Sequence, residues 1–252
     1  MSKYQSYILC TSPRSGSTLL CRLLAATGKS GVPDSHFHSP SISDWMGYYG
    51  LAPDSTKSER VLLSNIFKAA HSRGTGGTGI FGLRLQRHSF EFFMQKLHIL
   101  VPDCLNDQDR IKEVFGQTLF VHLTRQNKLE QAISYVKASQ TGLWHKAPNG
   151  QELQRCGEPQ DPIYDAEAIQ HHMTELAAMD RAWISWFAQE RISPLHINYE
   201  DLSKDPIAVT ERLLQKLGLA RGLTIGLELP VAKLANTTNI QWALRFRNDK
   251  CS

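Results

Sequence analysis

Thr11-Ser12-Pro13-Arg14-Ser15-Gly16-Ser17-Thr18 follows the apolar run Tyr7-Ile8-Leu9-Cys10 and precedes a stretch with Leu19, Leu20, Leu23 and Leu24 at helical spacing. The apolar run reads as a short buried strand, the octet as a polar loop, and the leucine stretch as a helix that Gly28 ends. This strand–loop–helix opening is the first half of a βαβ unit. Such a loop points backbone N–H groups at one spot, where the helix dipole adds about half a positive charge. Ser15, Ser17 and Thr18 add hydroxyl donors, and Arg14 adds a full charge in a planar fork. The stretch is an anion site in outline, although an ordinary Ser-rich turn before a helix has the same composition.

Outward from the loop, strands and helices alternate. Ser30 to Asp54 is irregular, rich in Ser, Pro, Gly and aromatics. Ser58 to Arg73 reads as a helix, and Gly74 to Gly79 as a flexible hinge. Ile80–Arg84 reads as a strand, with a helix through Phe90 to Leu100. Leu119–Leu123 is a strand and Leu129–Gln140 a helix. Thr141 to Asp165 reads as a surface excursion. Ala166–Arg191 is a long amphipathic helix, Leu195–Tyr199 a strand, and Pro206–Leu217 a helix capped by Gly218. The tail from Asn236 to Ser252 is polar and Arg-rich. This alternation predicts an α/β fold: one P-loop-like domain over residues 1–252, with a central, mainly parallel sheet and helices on both faces.

The 252 residues are 41% hydrophobic and 21% charged, enough for a packed core. The net charge of +4 is spread along the chain without a basic block, which argues against nucleic acid and suits a small anionic ligand. Five cysteines, with no Cys-x-x-Cys pair, support neither a disulfide framework nor a thiolate metal site, so a reducing, cytoplasmic setting is expected. No signal peptide is expected, and no apolar run is long enough to span a membrane.

Aligned on Gly16, the pattern G-x-x-x-x-G-K-[ST] meets Thr11 at its first Gly and Ser17 at its Lys, while Thr18 keeps the final hydroxyl. Loss of the Lys counts against ATP or GTP with magnesium and suits a donor with one short anionic arm. Arg125, just past the strand that ends at Leu123, and Ser134, nine positions on, can converge on one phosphate at the edge where α/β sheets bind ligands, although a solvated Arg and an ordinary helix Ser have the same spacing. Two such sites imply a ligand with two separated anionic groups.

Together, Ser12 to Leu20 and Arg125 to Tyr135 resemble the 5′-phosphosulfate loop and 3′-phosphate motif of sulfotransferases that use 3′-phosphoadenosine 5′-phosphosulfate (PAPS). The spacing is similar to that of the bacterial branch typified by mycobacterial trehalose and nodulation-factor sulfotransferases. Ala26-Thr27-Gly28, Thr141-Gly142-Leu143-Trp144, Trp183 with Trp186-Phe187, Tyr199, and Trp242 with Arg245-Phe246-Arg247 extend the resemblance over most of the chain. It implies PAPS as co-substrate, direct in-line transfer to a hydroxyl of a sugar or glycolipid, no metal, and a homodimer. By the same resemblance Pro13, Arg14, Ser15, Gly16, Ser17 and Thr18 hold the 5′-phosphosulfate. Arg125 and Ser134 hold the 3′-phosphate, and Arg245 and Arg247 close over the nucleotide.

One departure stands out. Ser35 occupies the place of the trehalose branch's glutamate base, in Gly31-Val32-Pro33-Asp34-Ser35-His36-Phe37-His38. A serine cannot accept a proton at neutral pH. His36, with an ordinary pKa of about 6.5, is the expected base, with Asp34 and His38 as substitutes. A His36–His38 metal pair lacks a third ligand. Arg84, where the branch has lysine, would offset charge on the bridging oxygen or form a structural ion pair. Trp45, Tyr48, Tyr49 and Trp144 either offer ring faces to a sugar or pack in the core or a lid. The competing readings are a P-loop small-molecule kinase and a PAPS-binding protein without catalysis.

Overall fold

The computed structural model describes residues 3–52, 54, 56–232 and 234–251. The outermost residues of the expected domain 1–252, namely Met1, Ser2 and Ser252, lie outside the described residues.

Four strands form one parallel sheet: β1 (Ser6–Thr11), β2 (Phe81–Gln86), β3 (Thr118–Thr124) and a fourth, numbered β6 in chain order (Leu195–Asn198). Their order is β2-β1-β3-β6. Ser6 pairs with Phe81 on one side of β1 and with Thr118 on the other. Alternation along β1 sends Ile8 and Cys10 to one face and Tyr7 and Leu9 to the other. The first face is covered by α3 (Glu59–Thr75), α4 (Arg87–Leu100), α5 (Asp107–Phe115) and α7 (Ala166–Gln189). The second is covered by α1 (Ser17–Ala26), α8 (Tyr199–Lys204) and α9 (Pro206–Lys216). A third cluster joins α7, α6 (Lys128–Thr141) and α10 (Thr237–Cys251). Helices therefore lie on both faces of the parallel sheet.

The chain leaves β1 toward β2 on one side and returns to β3 on the other. That reversal opens a crevice at the carboxyl ends of β1 and β3, the usual ligand position in open α/β sheets. The loop after Thr11 and the segment after Thr124 both emerge there.

Several local expectations change. The irregular stretch contains α2 (Ile42–Tyr49), started by Ser41 Oγ, which accepts from Asp44 N at 3.2 Å, and ended by left-handed Gly50. Trp45 and Phe37 draw this stretch into the core, with ring centroids 5.0 Å apart. Each such buried aromatic contributes about 1.5–3 kcal/mol and fixes where the preceding Asp34 lies. The expected hinge begins inside α3, where Gly74 packs on Phe81. The excursion after α6 holds an antiparallel hairpin of β4 (Leu143–Lys146) and β5 (Glu152–Arg155). Its entry requires glycine: Gly142 has φ 68°, and a Cβ there would lie 2.0 Å from the Cys156 carbonyl oxygen. Tyr199 starts α8 instead of ending a strand. Among the described residues no helix is long and apolar enough to cross a membrane.

Candidate active site

The loop between β1 and α1 is braced at its root. Thr11 Oγ1 donates to the Leu123 carbonyl at 2.8 Å and, its proton so committed, accepts from Ser15 Oγ at 2.6 Å. Trp183 Nε1 donates to the Thr11 carbonyl at 3.0 Å. Gln131 Nε2 donates to Ser12 Oγ and to the Pro13 carbonyl at 3.1 and 2.7 Å. Ser12 Oγ in turn donates to Asp180, which Lys128 neutralises. The turn places two residues in the left-handed region, Arg14 at φ 62° and Gly16 at φ 84°. Gly16 is the N-cap of α1 and supplies no side-chain cap, so the first N–H groups of the helix are open to an anion.

Three guanidinium groups surround this loop. Arg14 Nε donates to Ser134 Oγ at 3.0 Å and its Nη1 to the Trp144 carbonyl at 2.7 Å. Its pKa is pushed down to about 10, first by burial and then by the charge on Arg125. Arg125 pairs with Glu130 at 2.8 Å and lies 4.2 Å from the Tyr199 ring centroid, while its buried Nε has no hydrogen-bond partner. Ser134 thus meets Arg14 directly, and Arg125 joins them through its field.

Arg84 spends all three of its nitrogens on the other wall. Nε donates to Ser35 Oγ at 2.7 Å, Nη1 to Thr18 Oγ1 at 2.7 Å, and Nη2 to Asp34 Oδ1 at 3.2 Å. The serine at the departing position is therefore a ligand of the cation. Asp34 also accepts from Ser35 N at 2.7 Å and from Tyr48 Oη at 3.2 Å, and it is half exposed. Burial pushes its pKa up, but Arg84, the Ser35 N–H, His36 and the Tyr48 hydroxyl outweigh that and hold it below the ordinary value.

His36 lies elsewhere. It is 1% exposed, its Nε2 contacts the Val32 carbonyl at 3.2 Å, and its ring stacks between Phe81 and Tyr49. Its neighbour Phe37 anchors the same segment in the core, which turns the imidazole inward and closes it to an acceptor. His38 meets His88 edge-on at 5.1 Å and does not join His36 in a metal pair. Of the expected sugar-facing aromatics, Trp45 is buried, Tyr48 is exposed, and Tyr49 and Trp144 are half-buried.

A cavity of about 410 Å³ opens beside Arg14 and Ser134, lined also by Lys137, Lys146, Arg155 and Asn239. Lys137 Nζ donates to Asn236 Oδ1 and Asn239 Oδ1 at 2.7 and 2.8 Å. Arg245 and Arg247 do not line it. Trp242, Ala243 and Phe246 bury the apolar face of α10, which leaves both arginines exposed, Arg245 4.1 Å above the Tyr164 ring. The C-terminal segment contributes Leu234, Asn236 and Asn239 instead.

Sequence reasoning passed over His145, which is adjacent to the quoted Thr141–Trp144 stretch. From β4 its Nε2 meets Thr18 Oγ1 at 3.0 Å. Burial first, then Arg14, Arg84 and Arg22, push its pKa down to about 3. Lys137 was equally hidden, three residues beyond Ser134 on the same helix face. Among the described residues, the one group of three metal-ligating side chains is His171, His172 and Glu175, on α7.

A family model described as Stf0 sulphotransferase matches residues 6–249. Trehalose 2-sulfotransferase of Mycobacterium tuberculosis is 28% identical, covering 96% of this chain and 94% of its own. Trehalose 2-sulfotransferase of Mycolicibacterium smegmatis is 27% identical, over 97% and 95%. A solved sulfotransferase from Alicyclobacillus acidocaldarius superposes with a TM-score of 0.44 at 13% identity, covering 99% of this chain and 93% of that one.

Proposed function

The chain belongs to the Stf0 sulphotransferase family, and we propose that it moves a sulfuryl group from PAPS to a hydroxyl of a sugar-containing acceptor. The observation that carries this reading is Arg14, whose guanidinium ties the uncapped start of α1 to Ser134 on α6. A donor with a 5′-phosphosulfate and a 3′-phosphate matches two anion sites so joined. The relatives named for trehalose support a carbohydrate acceptor. Ser35 at the branch's glutamate position argues against taking over trehalose itself.

In this reading the α1 N–H groups with Ser15, Ser17 and Thr18 hold the phosphosulfate. Arg125, whose Nε is unpaired, and Arg14 with Ser134 hold the 3′-phosphate. Arg84 offsets charge on the oxygen from which sulfur departs. Asp34 and Ser35 keep Arg84 aimed at Thr18. Positioning and preorganised charge supply most of the barrier reduction.

The test is transfer of labelled sulfate from PAPS to a panel of sugars and glycolipids, with chelator present throughout. Labelled product with PAPS bears the reading out. No product from any acceptor, together with a melting shift from magnesium-ATP but none from adenosine 3′,5′-bisphosphate, overturns it.

A further inference from the structure

We propose that His145 takes the proton of the acceptor hydroxyl during transfer, an assignment that rests on the sulfotransferase reading. The Thr18 hydroxyl accepts from Arg84 Nη1 at 2.7 Å and meets His145 Nε2 at 3.0 Å. A guanidinium has donors only, so Arg84 fills one Thr18 lone pair and leaves the hydroxyl proton free for His145. In the proposed tautomer Thr18 donates to Nε2, which keeps its lone pair, and Nδ1 carries the ring proton. The imidazole stands at the start of α1, beside the cation that faces the leaving oxygen.

The charged neighbours set when that lone pair acts. Arg14 faces the ring from the loop, Arg22 from α1 and Arg84 from β2, with Asp34 beyond Arg84 and neutral Gln154 opposite in the hairpin. These cations keep the imidazole neutral and weakly basic while the loop holds no anion. Donor phosphates offset them, and a Thr18 hydroxyl turned to a phosphosulfate oxygen frees Nε2. The base is thus armed by the donor.

The step balances as a displacement. The acceptor oxygen forms a bond to sulfur while the bond from sulfur to the bridging phosphate oxygen breaks. The electron pair leaves with adenosine 3′,5′-bisphosphate, and the acceptor proton passes to Nε2. Asp34 is less suited: one carboxylate oxygen accepts from Arg84 and Ser35 N, and the other accepts a hydrogen bond from the Tyr48 hydroxyl.

His145→Gln separates proton transfer from bracing, because the amide oxygen still accepts from Thr18. We expect kcat to fall about 100-fold or more, KM for PAPS to stay within about threefold, and the acid limb of the kcat–pH profile to disappear. In the wild type, adenosine 3′,5′-bisphosphate should raise the His145 pKa, read by nitrogen-15 NMR, by about one unit or more. An active wild type with a variant whose kcat stays within about threefold of it, or an unmoved His145 titration, overturns the assignment alone. A wild type that binds the bisphosphate yet transfers no sulfate overturns the sulfotransferase reading as well.

Discussion

Gly16 and Tyr199 touch so closely that a Cβ on the glycine would stand 2.8 Å from Cδ2 of the ring. The same ring carries the Arg125 guanidinium at 4.2 Å, so one aromatic joins the two proposed anion sites. Gly16→Ala must accept a left-handed φ, at about 1–2 kcal/mol, and push the ring aside. Calorimetry should show affinity for adenosine 3′,5′-bisphosphate lowered about tenfold or more. Unchanged affinity would separate Tyr199 from the binding site.

Arg14 is a second left-handed residue, and it is a half-buried cation whose pKa the neighbouring Arg125 lowers. Arg14→Gly relieves both strains while removing a proposed contact to the 3′-phosphate. The melting temperature should stay within a few degrees of wild type or rise, while bisphosphate affinity falls about tenfold or more. Loss of stability with affinity intact would make this arginine structural.

Arg84→Lys keeps the charge but cannot reach Ser35, Thr18 and Asp34 at once. Steady-state kinetics should show kcat reduced about 10- to 100-fold with a smaller change in KM for PAPS. Equal loss in both would assign Arg84 to ground-state binding.

His122 sits in the middle of β3 against Phe187 and His196, with Nε2 buried and unpaired. Burial first, with His196 and Lys128 adding to it against Asp180, pushes its pKa down to about 4. The unfolded chain binds this proton near pH 6.5, so stability is full above that pH and declines as pH falls toward 4. The loss is on the order of 1–3 kcal/mol. Urea melts of wild type and His122→Leu should show a shallower decline for the variant.

His36→Ala should behave as a core truncation. It empties space between Phe81 and Tyr49, costing about 1–3 kcal/mol in chemical denaturation. Turnover per folded molecule should remain within about threefold of wild type. A collapse of turnover at full stability would restore the imidazole to the reaction.

The elements that bury a plain periodic face were legible: β1, α1, β3, α6, α7 and α9. Strand β2 was nearly so. Those set by caps were not, although their signals are present. Ser41 with Gly50 bounds α2, and Asn106, accepting from Asp109 N, starts α5, which the sequence reading left out. The turn between β1 and α1 was legible because its signals are local. His145 and Lys137 were not, because each gains its meaning from a partner far away: Thr18 is 127 residues from one, and Asn239 is 102 from the other. His36 misled for the opposite reason. Its position suggested chemistry, but Phe37 beside it obeys the core.

The cations at residues 14, 84 and 125 come from the loop after β1, from β2 itself and from the segment after β3, and reach one sheet edge only when those strands have aligned. The folded chain therefore holds Arg14 against the charge of Arg125, a repulsion that the open chain lacks. A polyanion that fits relieves it, and nothing in the denatured chain competes for that ligand. Nucleotide saturation should consequently act as ballast, lowering the native basin in proportion to the logarithm of its concentration.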